Sequence, residues 1–224
     1  YEFETVFHPV YTQWTREDFV RLMNSCREKC CSGNNVKCIK EREKTLDISV
    51  GEFRVSILGK YYIELYIQNK EDLNTLPSQS YSIVKKSKIQ NHFTKHQSIK
   101  LNLKDETKVD IDDASFSSVL LEWTTLGKTF RMKNRYSYLF NDYYSLDMTV
   151  VKSAKNGHQL IRSRTLMNSR TLDADETYEV ELEYVSQYNS DLTSKFDKDL
   201  WYSLVNFSLS HLNHTLKVVN SETL

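Results

Sequence analysis

The stretch YEVELEYV, residues 178–185, sets Glu179, Glu181 and Glu183 two residues apart, with Tyr178, Val180, Leu182 and Tyr184 between or beside them. A period of two is the period of a strand, so the carboxylates share one face and the apolar side chains the other. Like charges on one face repel, so a solvated sheet surface ordinarily mixes signs and neutral polar residues. The same alternation recurs along the chain, often with one sign of charge per strand. YEFETVF (1–7) gives Glu2 and Glu4 around Phe3. FRMKNRY (130–136) gives Arg131, Lys133 and Arg135 around Phe130 and Met132. GEFRVSI (51–57) gives Arg54 and Ser56 against Phe53 and Val55, and VKKSKI (84–89) gives Lys86 and Lys88 with Lys85 on the other face. SIKLNLK (98–104) gives Lys100, Asn102 and Lys104, and SLDMTV (145–150) gives Asp147 and Thr149.

Two architectures accommodate these strands. In one, the apolar face is the core, the charges lie in water, and opposite signs pair across the ladder for only ~0.2–1 kcal/mol each. In the other, a closed barrel turns the charged faces inward and packs its apolar outer face under helices. Inward carboxylates are tolerable around a divalent cation, for which oxygen donors suit Mg²⁺ or Mn²⁺. Inward Arg and Lys are tolerable around phosphate. Segregation by sign favours the second architecture, whose interior suits a metal-bound triphosphate.

The rest of the chain fits one domain, 1–224. Its 224 residues suffice for a sizeable core, and no Pro- or Ser-rich linker divides them. Lys plus Arg and Asp plus Glu number 30 each, so net charge selects no partner, although local fields can still be strong. No apolar run approaches a membrane span and no signal peptide is evident, so no membrane partner is expected. The first residue is Tyr, which suggests a piece of something longer. Thr15 opens TRED, a capping-box pattern ahead of a helix running to about Cys30. Residues 43–58 read as two strands broken near Gly51. KYYIELYI (60–67) suits a strand by propensity and a short helix by position. Residues 81–89 and 98–105 read as strands, 115–126 as a helix, and 128–140 with 145–153 as a hairpin turning at NDYY. A short helix is expected around 163–172, and a long amphipathic helix over 191–217, with Asp191 near its start. The fold expected is therefore mainly β within the α+β class: a closed antiparallel eight-stranded barrel with a charged interior and flanking helices, including a long C-terminal one.

The four cysteines, Cys26, Cys30, Cys31 and Cys38, lack the paired spacing of a zinc knuckle, and reduced thiols on a helix and its following loop explain them. The sequons at Asn206 and Asn213 fall in a helical pattern and read as chance matches.

Taken in order, YEFETVF, FRMKNRYSYLFND, SLDMTVV and YEVELEYV resemble the ExE, RxKxR, DxT and ExExE strands of the triphosphate tunnel metalloenzymes, and among these the fungal and viral RNA triphosphatases of mRNA capping. The resemblance covers nearly the whole chain, and its style is closest to the triphosphatase domain of a giant-virus capping enzyme. It implies metal-dependent hydrolysis of the γ-phosphate of 5′-triphosphate RNA, leaving a 5′-diphosphate end, with nucleoside triphosphates as further substrates. It implies Glu2, Glu4 and Glu183 as direct ligands of Mg²⁺ or Mn²⁺, Glu181 and Asp147 as ligands through water, and Glu179 as part of the same acidic floor. Arg54, Lys133 and Arg135 would grip the γ-phosphate beside Arg131. Lys86 is the counterpart of a further basic wall residue, with Lys88 as the alternative, and Thr149 belongs to the DxT strand. One departure matters. The yeast-type enzymes carry a Glu after an LNL-like strand to assist the attacking water; here Lys104 stands there and Glu106 follows two residues on, which leaves the general base open. The resemblance also implies fused guanylyltransferase and methyltransferase domains and, for a viral protein, work in the cytoplasmic viral factory or the virion. The rival readings are a tunnel enzyme for tripolyphosphate or free nucleotides, a non-catalytic polyanion-binding barrel, and a purely structural barrel.

Overall fold

The computed structural model describes residues 2–7, 14–33, 35–93, 100–184 and 197–211, with backbone alone at 2–3, 87–93 and 103–105. In chain order the elements are β1 (Glu2–Phe7), α1 (Arg16–Cys31), β2 (Val36–Val50), β3 (Phe53–Leu58), α2 (Gly59–Gln68), β4 (Tyr81–Phe93), β5 (Lys100–Val109), α3 (Ala114–Leu121), β6 (Thr129–Phe140), β7 (Tyr144–Lys152), the small hairpin β8 (Lys155–Asn156) and β9 (Gln159–Leu160), α4 (Leu166–Ser169), β10 (Glu176–Tyr184) and α5 (Lys198–Leu209). The fold is mainly β, antiparallel, with flanking helices. Eight strands follow one another in the order β1-β10-β7-β6-β2-β3-β4-β5. The last, β5, is itself paired to β1, so β1 carries β10 on one edge and β5 on the other.

The apolar faces show which side is which. Phe53, Val55 and Ile57 of β3 and Leu46, Ile48 and Val50 of β2 bury against Ile63 and Tyr66 of α2, Phe116 of α3, Trp123 and Leu166. Leu146 and Met148 of β7 and Val180 and Leu182 of β10 bury against Phe19, Leu22 and Cys26 of α1 and Trp201, Leu204 and Val205 of α5. Each large side chain so buried is worth ~1.5–3 kcal/mol. Both apolar cores therefore lie between the strands and the helices, and the alternate positions are left to the opposite face.

Local chemistry sets the helix limits. Thr15 caps α1, its side chain accepting from the backbone N–H of Asp18. Asp113 caps α3 through Ser115, and Asp197 caps α5 through Asp199 and Leu200. KYYIELYI is helical: Gly59 takes a left-handed φ of 80° at its start, and buried Ile63 and Tyr66 are one turn apart. The turn over α3 and α2 is fastened by polar groups. Trp123 Nε1 donates to the Tyr66 hydroxyl at 3.0 Å and to the Glu71 carbonyl at 3.1 Å, and the buried Lys128 Nζ donates to the Trp123 carbonyl at 2.5 Å.

Several boundaries differ from the sequence reading. β2 begins at Val36, earlier than the expected strand, and carries Cys38, so this cysteine lies in a strand and not in the expected loop. Register shifts between Cys38 and Glu43 give this segment an irregular pattern that hides its strand character. β5 runs on to Val109, α3 stops at Leu121, and the helix near 163–172 is one short turn followed by a 3-10 turn. The described part of the C-terminal helix is the 12 residues of α5; Asp191 and Asn213 lie outside the described residues. No helix among the described residues is long and apolar enough to cross a membrane.

Candidate functional site

The face opposite the two cores collects the charged positions. On β10, Glu183 stands opposite Glu4 of β1 and Ser145 of β7, Glu181 opposite Asp147, and Glu179 opposite Thr149. On β6, Arg135 is opposite Thr149, Lys133 opposite Thr45, and Arg131 opposite Asp47. Arg54 of β3 faces Ser49, and Lys86 of β4 faces Glu106 of β5. The register thus gathers onto one surface residues up to about 180 positions apart in the chain, as a strand period of two requires.

The side chains are interlocked. Arg131 Nη2 donates to both carboxylate oxygens of Glu179 at 2.6 Å. Arg135 Nη1 lies 3.0 Å from Asp147 Oδ2, whose other oxygen accepts from Ser145 Oγ at 2.8 Å. Lys133 Nζ lies 2.5 Å from Asp47 Oδ2, and Ser56 Oγ donates to Asp47 Oδ1 at 2.8 Å. Glu106 is held from two sides, by Arg54 Nη2 at 2.9 Å and Lys86 Nζ at 2.8 Å. On β1, Glu4 Oε1 accepts from Asn102 Nδ2 at 2.7 Å. The acidic and basic walls expected from the sign pattern are therefore joined by cross-wall ion pairs: Asp147 of β7 meets Arg135 on the adjacent β6, and Arg131 of β6 reaches past β7 to Glu179 of β10. Lys85 points the other way, to Glu52 and over the Phe53 ring, and Lys86 takes the inner place.

Burial makes these pairs consequential. Lys133 and Asp47 are 6% and 5% exposed. Burial pushes the Lys133 ammonium down to about 8; Asp47 pulls the other way, and the neighbouring Arg131 and Arg135 add to the depression. Burial also disfavours the Asp47 carboxylate, yet Lys133, Arg54 and the Ser56 hydroxyl together hold it at about 2. For Arg135 burial opposes the charge, and the field of Asp147, Glu181, Asp47 and Glu183 overcomes it and raises its pKa. Two inner polar atoms are buried without a hydrogen-bond partner among the described residues besides Ser137 Oγ: Arg54 Nε and Asn102 Oδ1.

The structure brings together Glu4, Arg54, Lys86, Glu106, Arg131, Lys133, Arg135, Asp147, Thr149, Glu179, Glu181 and Glu183. The side chains of Glu2, Lys88 and Lys104 lie outside the described residues. Among the described residues no three His, Cys, Asp or Glu side chains form a cation-holding group. The sequence reading missed Asp47, Ser137 and Ser145, and gave Asn102 a face without a role. TLDISV (45–50) alternates as clearly as the other strands; a single acid among hydroxyls gives no run of charge to notice.

The cysteines stand apart from this face. Cys26, Cys30 and Cys31 are on α1 and Cys38 is on β2, all as free thiols. Cys26 is buried in the core beneath α1, and burial pushes its thiol up to about 12.

No protein-family model and no curated protein matches this chain. Solved structures do. The mimivirus capping enzyme triphosphatase in a monoclinic crystal aligns with a TM-score of 0.63 at 18% identity, over 94% of this chain and 90% of that one. A structure of the RNA triphosphatase domain of the trifunctional mimivirus mRNA capping enzyme aligns at 0.61 and 18%, over 95% and 89%. A chain of the Schizosaccharomyces pombe Mediator head module aligns at 0.50 with 9% identity, over 93% and 96%. The chain has the fold of the mimivirus triphosphatase domain across nearly its full length. Because a Mediator chain shares this topology, the fold leaves the activity to be argued from the inner residues.

Proposed function

We propose that this chain is a metal-dependent polynucleotide 5′-phosphatase that hydrolyses the γ-phosphate of 5′-triphosphate RNA, the first step of mRNA capping. In this reading the eight strands form a closed tunnel and the inner charged face is the active site. The observation that carries the reading is Arg54: an inner guanidinium whose Nη2 is spent on Glu106 while its buried Nε has no partner among the described residues. A buried N–H donor on a cation, beside Lys86, Lys133, Arg131 and Arg135, suits a phosphate oxygen.

The residues divide the work as follows. Arg54, Lys133 and Arg135 hold the equatorial oxygens of the γ-phosphoryl group, with Arg131 and Lys86 beside them, and so stabilise the charge that spreads there in the transition state. Glu106 takes the part left open by Lys104. Arg54 and Lys86 fix its carboxylate, and it accepts a hydrogen bond from the water that attacks the γ-phosphorus. The oxygen–phosphorus bond to the β-phosphate breaks in line, and the diphosphate end leaves with the electron pair. Glu179 and Asp47 orient Arg131 and Lys133. Glu2, Glu4 and Glu183 would hold a divalent cation, Mg²⁺ or Mn²⁺, with Glu181 and Asp147 reaching it through water. The donor chemistry suits a hard ion, being all oxygen on the adjoining strands β1, β10 and β7 with Glu4 and Glu183 opposed, and Glu2, whose side chain lies outside the described residues, would complete the group that the described acids do not form by themselves. Such an ion supplies Lewis acidity and neutralises phosphate charge.

Nucleoside triphosphates are the expected further substrates. Fused guanylyltransferase and methyltransferase domains are the proposed partners, after the trifunctional enzyme whose domain this fold matches. The proposed location is the cytoplasmic viral factory or the virion. The test is competition under Mn²⁺ or Mg²⁺: unlabelled triphosphate-ended RNA should suppress nucleotide hydrolysis at far lower concentration than free nucleotide does. Equal suppression by tripolyphosphate would assign a different substrate, and no phosphate release under either metal would leave only a polyanion-binding barrel.

A further inference from the structure

Glu4 and Asn102 are direct cross-strand partners on β1 and β5, 4% and 3% exposed. The Asn102 amide nitrogen donates to Glu4 Oε1 at 2.7 Å. A carboxylate only accepts, so the amide must present its nitrogen there, and this fixes where its oxygen goes. That oxygen, Oδ1, is buried and has no donor among the described residues. A carbonyl so placed is exceptional in a folded protein and calls for a partner. The same amide group holds the carboxylate of Glu4, and Glu4 stands opposite Glu183. Beside carboxylates, a partner that suits a buried neutral oxygen is a hard cation with its hydration water.

We propose that Asn102 is a positioning residue of the cation site: its N–H fixes the rotamer of Glu4, and its amide oxygen serves the same cation, directly or through one water, as a neutral donor. The inference rests on the cation proposed above and adds a residue outside the charged motifs. It explains why LNL carries an amide at its centre, where neither an apolar residue nor an acid would donate to Glu4 and a cation would offer no oxygen. A neutral donor also limits the negative charge at the site, so the fold tolerates it when no ion is bound.

The experiment measures Mn²⁺ affinity by electron paramagnetic resonance and thermal melting with and without Mn²⁺, for wild type, Asn102→Ala and Asn102→Asp. Asn102→Ala should weaken Mn²⁺ binding about ten- to a hundredfold, the usual effect of removing a group that orients a ligand. The Mn²⁺ concentration for half-maximal turnover should rise by the same factor. Asn102→Asp keeps the shape, loses the donor and adds a charge beside Glu4. It should melt lower without metal and show a larger Mn²⁺-induced rise than wild type. It carries the test if the alanine variant fails to fold. Equal Mn²⁺ affinity in all three proteins, or equal loss of melting temperature with and without Mn²⁺, would make Asn102 a merely structural residue and overturn the inference. Wild type that binds no Mn²⁺ would overturn the cation itself, and Asn102's role with it.

Discussion

Replacing Asp47 by Asn removes one charge from the most buried ion pair of the inner face. Lys133, 6% exposed, already sits at about 8 with Asp47 in contact at 2.5 Å. An opposite charge at such range moves a pKa by about 1–3 pH units, and without it burial, Arg131 and Arg135 all act to discharge the amine. Lys133 should then lose its proton near or below neutrality. If Lys133 grips the γ-phosphate as a cation, the alkaline limb of kcat/KM, which reports the free protein, should move from about pH 8 down by one unit or more. Stability should also fall by about 3–5 kcal/mol at acidic pH, where the ammonium is charged and unpaired, and less above neutrality, where it discharges. Lys133→Met added to Asp47→Asn should restore most of the stability and none of the activity. The wild type has its own signature on the acid side. Asp47 at about 2 lies below its ordinary 3.8, so its contribution is complete above 3.8 and is lost as pH falls through about 2. The assays are phosphate release across the pH range and urea unfolding at two pH values. An alkaline limb that stays at about 8 in Asp47→Asn would refute the coupling of this pair to catalysis.

Arg54→Ala and Arg135→Ala should each keep the fold and lose about a hundredfold or more in phosphate release, on the order of 3 kcal/mol of transition-state stabilisation, and Lys at either position should rescue poorly. Replacing Cys26, Cys30, Cys31 and Cys38 by Ser should leave turnover nearly unchanged; buried Cys26 should account for most of any fall in melting temperature, and stoichiometric zinc in the purified protein would refute this assignment. Lys128→Ala, which removes a fully buried ammonium from the α2–α3 fastening, should cost on the order of 3 kcal/mol in urea unfolding while leaving the Mn²⁺-induced rise in melting temperature unchanged.

What the sequence made legible follows from the period of two. Glu179, Glu181 and Glu183 share a face because any strand would place them so, and the same holds for Arg131, Lys133 and Arg135. The pairings were not legible, because they depend on register between distant strands. Arg54 and Glu106 meet across 52 residues, and Glu4 and Asn102 across 98. Sign segregation along the chain therefore did not predict the mixing across it, where Arg131 holds Glu179. KYYIELYI was ambiguous because eight residues rich in Tyr and Ile suit either element. The left-handed start at Gly59 and the core beneath Ile63 and Tyr66 decided it. Lys104 and Glu106 could not be ranked without register. Pairing β4 with β5 puts Lys86 opposite Glu106, and that contact is the ground on which Glu106 is proposed for the role.

The most direct test is release of γ-labelled phosphate from triphosphate-ended RNA by the wild-type chain and Glu183→Gln, with and without Mn²⁺, alongside melting curves under the same conditions. Glu176→Gln is the control, since Glu176 is exposed at the start of β10 and lies outside the inner motif. Wild type and Glu176→Gln should release phosphate only with the metal and melt higher in its presence, and Glu183→Gln, which keeps the shape but loses the charge a hard cation needs, should do neither. If Glu183→Gln binds Mn²⁺ and turns over as wild type does, the acidic face is a bystander and the metal-dependent triphosphatase account is wrong.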